Sequence, residues 1–423
     1  MEGEPGREVH GLVDGLFRRE AGRMVSVLCR VFGPHNLQLA EDVVQEALLR
    51  ALREWPFHGV PDDPRAWLVQ VARNRALDLL RRDANLARKV PLLREELDGG
   101  EVSAPEAFFG GEVEDDQLRM IFTCCHPEVP REARVALTLK TVGGFGVPEI
   151  ARAFLAREAT VAQRLVRAKR RIREAGIRFE VPAGVELLRR LDPVLEVVYL
   201  VFNDGYAAAS GEAALRADVC AEAVRLAELL AAHPATASPR THALAALLLF
   251  QGARLPARVD PQGGPVLLAE QDRSRWDRGM VARGLAHLER AAEGEDLTPL
   301  HLEAGIAAAH ATAPSYEATD WPYILSLYDA LLAVKPSPVA ALNRAVALSM
   351  VEGAGAGLRA VAEVADHPSL AAYPLLHAVR GDLHARLGEA EPAAEAYRRA
   401  LELPLSEPDR GLLRRKLEEC GGA

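Results

Sequence analysis

Cysteine and aromatic residues are scarce in this 423-residue chain: there are five Cys, and aromatic side chains make up 5%. Five unevenly spaced thiols cannot lay out a disulfide scaffold and fit a reducing cytoplasm. No apolar run approaches the roughly 18–20 residues that cross a bilayer. The opening Met1-Glu-Gly-Glu-Pro-Gly-Arg is polar and leads into no signal-peptide stretch. A cytoplasmic protein with no membrane attachment is therefore expected. Also missing are a Gly-rich phosphate loop and a nucleophile elbow. His233, His242, His287, His301, His310, His367, His377 and His384 follow no ligand or triad spacing. These absences predict no cofactor, no resident metal and no catalysis by the chain itself.

What is present favours helices. Hydrophobic residues are 49% and charged residues 26%, with Ala, Leu and Arg prominent, and these three lose little on entering a helix. An all-α chain of two to four domains is expected. Its net charge of −9 is unevenly spread. Residues 1–182 hold 28 Lys+Arg and 28 Asp+Glu; residues 183–423 hold 23 and 32, the whole excess. Inside the neutral part, Arg164 to Arg178 carry seven cations against Glu174. Such a stripe can hold phosphates on an acidic protein.

Periodicity places helices at 8–33, 38–55 and from Pro64 to Arg82, with a loop from Pro56 to Pro64. Leu97 to Pro105 has linker composition. Helices resume near 114–123, 131–142, 147–155 and 159–175. The domains read as 8–84, a linker at 85–112, 113–180, a helical middle domain at 185–295, and repeats at 300–420. Pro261 to Pro265 reads as an exposed turn. In the last part Gly381, Ala393, Tyr397 and Ala400 stand at offsets 12, 4 and 3, and Ala345, Gly357, Val361 and Val364 reproduce them. A weaker unit holds Tyr328, Leu331 and Pro336. A repeat of roughly 34 residues with small and aromatic positions suits paired tetratricopeptide-like (TPR-like) hairpins.

Two segments carry chemistry. From Val147 to Lys169, Ile150, Ala151, Phe154, Val161 and Leu165 form the seam of a helix-turn-helix, with Leu155 where a turn Gly is usual. Its second helix offers Gln163, Arg164 and Arg167 to base edges and Lys169, Arg170 and Arg171 to phosphates, with Thr160 in the same DNA-binding set. From Pro64 to Arg82, Trp67, Arg73, Asn74 and Arg75 suit an unstacked strand, although Trp67 also suits a hydrophobic core. Cys124, Cys125 and His126 are poorly spaced for zinc. Asn203, Asp204 and Tyr206 suit either a polar pocket or a helix-ending turn at Gly205. Glu270, Asp272, Arg273, Arg275 and Asp277 suit an ion-paired loop or a latch.

Taken together, residues 8–180 resemble the extracytoplasmic-function (ECF) class of sigma-70 factors. Asp42-Val-Val-Gln-Glu-Ala-Leu-Leu-Arg-Ala resembles the region 2 segment that docks on RNA polymerase, with Leu48 in place of the usual Phe. The resemblance implies that Asp42, Gln45 and Glu46 bind core polymerase. It implies that Trp67, Arg73, Asn74 and Arg75 hold the −10 strand, and that the Thr160–Arg171 residues read the −35 element. Phe122-Thr-Cys-Cys-His-Pro127, Val198 to Tyr206 and Glu270 to Asp277 look like the subgroup with a long helical TPR-containing extension. That likeness implies a regulatory extension holding Asn203, Asp204, Tyr206, Glu270, Asp272, Arg273 and Trp276. Expected partners are core RNA polymerase, promoter DNA and a peptide or protein for the extension. The alternatives are a helix-turn-helix regulator with a TPR effector domain, which would bind DNA alone, and an enzyme in residues 183–423, which would need a convergent acid–base cluster.

Overall fold

The computed structural model describes residues 20–82, 111–154, 156–206, 216–261 and 264–421. These residues are helical apart from turns and one isolated bridge, Val259 to Pro265. The expected helix start at 8–19, nearly all of the 85–112 linker, Leu155 and the tip at 262–263 lie outside the described residues. The chain divides into two units, Met1–Leu200 and Val201–Ala423.

The first unit opens with α1 (20–32). Gly33, at φ 80°, ends it, and a short turn Pro34–Asn36 leads into α2 (Leu37–His58). Leu37, Ala40, Val44, Ala47, Leu48, Ala51 and Trp55 fall on one side of α2 and are buried, the spacing of an amphipathic helix. Pro56 does not open the expected loop; the helix runs through it to His58. A proline this close to the end disturbs only the last turn, and the Gly59 N–H closes the helix on the Trp55 carbonyl at 3.0 Å.

Helix α3 (Pro64–Arg82) packs on α2, and α4 (Gly111–Cys124), α5 (Arg131–Thr141), α6 (Val147–Ala153) and α7 (Glu158–Glu174) follow. Two features lock this unit. A Cβ on Gly22 would lie 1.8 Å from the Val142 carbonyl oxygen, so α1 meets the end of α5 backbone to backbone. Asp116, fully buried on α4, takes Arg30 at 3.1 Å and Arg119 at 2.6 Å.

Helix α8 (Gly184–Tyr206) gives its residues up to Leu200 to the first unit. Arg190 on it is buried, donates to the Phe122 carbonyl at 2.6 Å and lies over the Phe122 ring. A cut at residue 182 would remove that contact together with buried Leu191, Val194 and Val198.

In the second unit α10 (Pro239–Ala253) is buried on nearly every side, with Ala243 to Phe250 enclosed by α9 (Ala217–Ala232), α11 (Arg278–Ala291) and α12 (Pro299–Thr312). Six helices follow, α13 (Trp321–Val334), α14 (Pro338–Glu352), α15 (Ala354–Val364), α16 (Pro374–Arg386), α17 (Ala390–Leu401) and α18 (Glu407–Gly421), each packed on the next. The small residues read from the spacing lie in these seams. A Cβ on Gly381 would lie 2.4 Å from the Tyr397 ring, and one on Gly357 3.1 Å from the Ala345 carbonyl oxygen. The Tyr397 hydroxyl donates to Asp382 at 2.6 Å, and Lys416 reaches the same carboxylate.

Gly381→Ala is therefore expected to destabilise the second unit by about 1–3 kcal/mol through overpacking. Gly411→Ala, in a helix with nothing near the new Cβ, should instead stabilise by about 0.4–1 kcal/mol. Urea unfolding midpoints compare the two, and equal shifts would contradict the close-approach account.

Candidate polymerase and nucleic-acid interfaces

On α2, the face opposite the buried one carries Asp42, Gln45, Glu46 and Leu49, all exposed. They recur at i, i+3, i+4 and i+7, a single stripe. Gln38 donates to Asp42 at 2.8 Å. Leu49 is 51% exposed, and Phe57 at the helix end is 85% exposed, an apolar element of this face that the sequence reading did not single out.

Arg75 of α3 grips both carboxylate oxygens of Glu46, one at 3.1 Å. The expected polymerase-binding carboxylate and the expected strand-holding arginine are thus bonded to each other. Trp67 is half-buried, edge-to-face with Trp55 at a 5.4 Å centroid distance, and lies 5.8 Å from the Arg50 guanidinium. Asn74 is exposed and accepts from Gln70 at 3.2 Å, while Arg73 is half-buried. The expected −10 residues therefore share one helix, though Trp67 also packs against α2.

Helices α6 and α7 form the helix-turn-helix. Ile150, Ala151, Val161 and Leu165 are buried in its seam, with Phe154 half-buried. The Gly146 N–H donates to Glu149 at 2.7 Å and fixes the entry to α6. On α7, Thr160, Gln163 and Arg167 are exposed and Arg164 half-exposed, and among the described residues none of them forms an ion pair.

The later cations do. Arg170 pairs with Glu174 at 3.5 Å and Arg171 with Glu128. Lys169 turns inward: its Nζ lies 2.5 Å from Glu41 and 2.9 Å from the Gln38 side-chain oxygen, both on α2. Lys169 is 14% exposed and Glu41 7%.

Cys29, Cys124 and Cys125 are buried in the same unit. Burial raises the Cys125 thiol to about 12 and Cys124 well above the ordinary range, so neither is poised as a thiolate. Among the described residues no group of three or more Cys, His, Asp or Glu could hold a metal ion, and no helix is long and apolar enough to cross a membrane.

Of the residues assigned to the extension, three come together. Tyr206 stacks on Phe202 and donates to Gln251 at 2.7 Å; Arg273 and Trp276 stack on each other, 4.6 Å from guanidinium to ring centroid. Asn203 is half-buried, and the Asp204 side chain is outside the described set. Glu270 is exposed. Asp272 caps the turn Arg273–Arg275 through Ser274, which holds its carboxyl below the usual range, and Asp277 caps α11 through Met280. The latch reading thus gives way at Asp272 and Asp277 to local capping. Arg254, Arg258 and His310, which join Arg273 and Trp276, were not legible as a group.

The exposed α2 stripe and the helix-turn-helix define the class. Residues 16–85 match Sigma-70 region 2 and residues 119–172 match Sigma-70, region 4; these are non-enzymatic domains. Residues 190–292 match a Family of unknown function (DUF6596). Within that class, the chain belongs to one family with an uncharacterized protein of Rhizobium meliloti (strain 1021), to which it is 42% identical over 409 residues, 96% of each chain. The ECF RNA polymerase sigma factor SigE of Mycolicibacterium smegmatis is a more distant relative, 27% identical over 163 residues, 38% of this chain and 60% of that protein. No solved structure matches.

Glu41→Gln is expected to destabilise the first unit by about 3–5 kcal/mol, because it leaves the buried Lys169 cation unpaired. Glu41→Gln with Lys169→Met should recover most of that loss. A double-mutant cycle by chemical unfolding measures the coupling; additive effects would contradict a buried pair.

Proposed function

We propose that this chain is an ECF-type sigma factor that binds core RNA polymerase, recognises −35 and −10 promoter elements and initiates transcription, with residues beyond the sigma domains regulating that activity. The observation that carries this reading is the order and exposure of the two matched domains: an exposed Asp42–Gln45–Glu46–Leu49 stripe first, then a helix-turn-helix presenting Gln163, Arg164 and Arg167. In this reading the α2 stripe docks on polymerase, Asn74 and its neighbours on α3 hold the opened strand, and α7 enters a major groove.

The Lys169–Glu41 pair adds a requirement. Elements named −35 and −10 lie about 25 base pairs apart, about 85 Å of duplex at about 3.4 Å per pair. A helix tied at 2.5 Å to α2 cannot read one element while α3 holds the other, so the first unit opens when it engages a promoter. Lys169 is then released to phosphates, which suits its expected role. The hairpins from 299 onward support a TPR-like reading through the Gly381–Tyr397 and Gly357–Ala345 seams, and a concave stack of that kind suits a peptide or protein partner.

The test is in vitro transcription with purified core polymerase. Wild type should initiate at defined promoters, and Asp42→Lys should lose co-purification with core enzyme while keeping its helical content. Specific DNA binding by the chain alone would favour the plain regulator instead. Arg164→Ala should cost about 1–3 kcal/mol and relax preference at one base position, whereas Arg171→Ala should weaken all sequences alike. Regulation is tested by ending the chain after Tyr206, which retains the α8 contacts of the first unit. Unchanged initiation under every condition would remove the regulatory assignment.

A further inference from the structure

Three arginines converge inside the second unit with only neutral acceptors. Arg254, at the end of α10, donates to the side-chain oxygens of Gln251 and Gln271, both at 3.3 Å. Arg258 donates to the Tyr206 carbonyl at 3.2 Å and lies 3.6 Å over the Tyr206 ring. Arg273 donates through one Nη to the carbonyls of His310 and Ala313, each at 2.7 Å. The Arg254 and Arg273 guanidiniums both lie on Trp276, 5.5 and 4.6 Å from its centroid. Among the described residues no carboxylate forms an ion pair with any of the three; Glu317, whose charge acts on Arg273, is itself exposed.

The cluster is held against its own repulsion. Burial, then the charges of Arg258 and Arg273, lower Arg254 from its ordinary value. Burial, then Arg254 and Arg273, push His310 down to about 4. Three polar atoms in the cluster are also buried with no partner: the second Nη of Arg273, the Trp276 Nε1 and the His310 Nδ1. Trp276 is 2% exposed. Each such group forgoes the hydrogen bond it would make to water. Cation–π stacking explains why the arginines lie on Trp276; it leaves the orphaned N–H groups and the missing counter-charge unexplained.

We propose that Arg254, Arg258, Arg273, Trp276 and His310 form a binding site for the oxyanion group of a small molecule, a phosphate or a carboxylate. One such group supplies the absent negative charge, accepts from the orphaned Arg273 and Trp276 N–H groups, and meets guanidinium forks suited to planar or tetrahedral oxyanions. The site rests on the second unit alone and does not depend on the transcription reading.

The experiment follows the indole N–H signals of 15N-labelled full-length protein during titration with inorganic phosphate and, separately, citrate, at constant ionic strength and neutral pH. The chain has four Trp, and Trp276→Phe identifies the relevant signal. Its saturable downfield movement is expected, with a rise in Tm. Arg258→Gln, which loses one hydrogen bond to a carbonyl and the stack on Tyr206, and Arg273→Gln should weaken the response at least tenfold; Arg275→Gln, exposed on the same turn, should not. Saturation by phosphate alone assigns a phosphate group, and by citrate alone a carboxylate. Absence of a saturable shift in the wild-type protein with either anion, or an equal response in Arg258→Gln, overturns the proposal.

Discussion

A buried lysine paired with a buried glutamate sets the arrangement of the first unit. Lys169 and Glu41 come from helices that the chain separates by 128 residues, and each is almost wholly removed from water. Desolvating two charges costs several kcal/mol per ion, so such a pair adds little net stability over an apolar one. What it adds is selectivity: the wrong register strands a charge, whereas an apolar contact would slide. The same holds at Asp116, where one buried carboxylate serves both Arg30 and Arg119. The backbone approach of Gly22 to Val142 beside them tolerates no Cβ. A junction fixed by ions is also one that a polyanion or a competing charged surface can open, which a purely apolar junction would resist.

The second unit is built on a different principle. Its seams bring helices together through missing side chains, with Gly357 against Ala345 and Gly381 against Tyr397. Around Trp276 and Tyr206, charge enters as arginine stacked on aromatic rings. Guanidinium is weakly hydrated and planar, so it tolerates burial against Trp276 and Tyr206 as an ammonium would not. Lysine serves at the Glu41 junction, where one point charge meets one carboxylate; at Trp276 arginine serves with no carboxylate paired to it among the described residues.

Helix periodicity made the all-α architecture and most element boundaries legible, because buried faces repeat along each sequence. The helix-turn-helix seam from Ile150 to Leu165 and the exposed Asp42–Glu46 stripe were readable for the same reason. Contacts between distant elements were not. Lys169 looked like one more cation of a basic stripe, yet it stands four residues after buried Leu165 and three before buried Ile172, at the margin of the apolar face. Glu41 stands likewise between Leu37 and Val44. Charged residues flanking an apolar stripe in two helices were the available signal, but nothing local says that they face each other. Glu46 and Arg75 were each expected to bind other molecules; their mutual bond was not foreseen, since it spans 29 residues.

The arginine cluster was hidden by a different effect. The charged run from Glu270 to Asp277 invited pairing within itself, but its carboxylates at 272 and 277 cap helices, which leaves Arg273 to turn inward. Its companions Arg254 and Arg258 directly follow a helix whose residues are nearly all buried, so the chain carries their charges inside as it leaves α10. The net charge of residues 183–423 is strongly negative, and composition therefore points to a surface that repels anions. The interior has the opposite sign. Long-range attraction is screened over about 8–10 Å in physiological salt, whereas buried charges at a few ångströms are screened far less. An acidic exterior thus does not set the specificity of a cationic interior, and it disfavours loose, non-specific association of nucleic acid with the unit that carries the cluster.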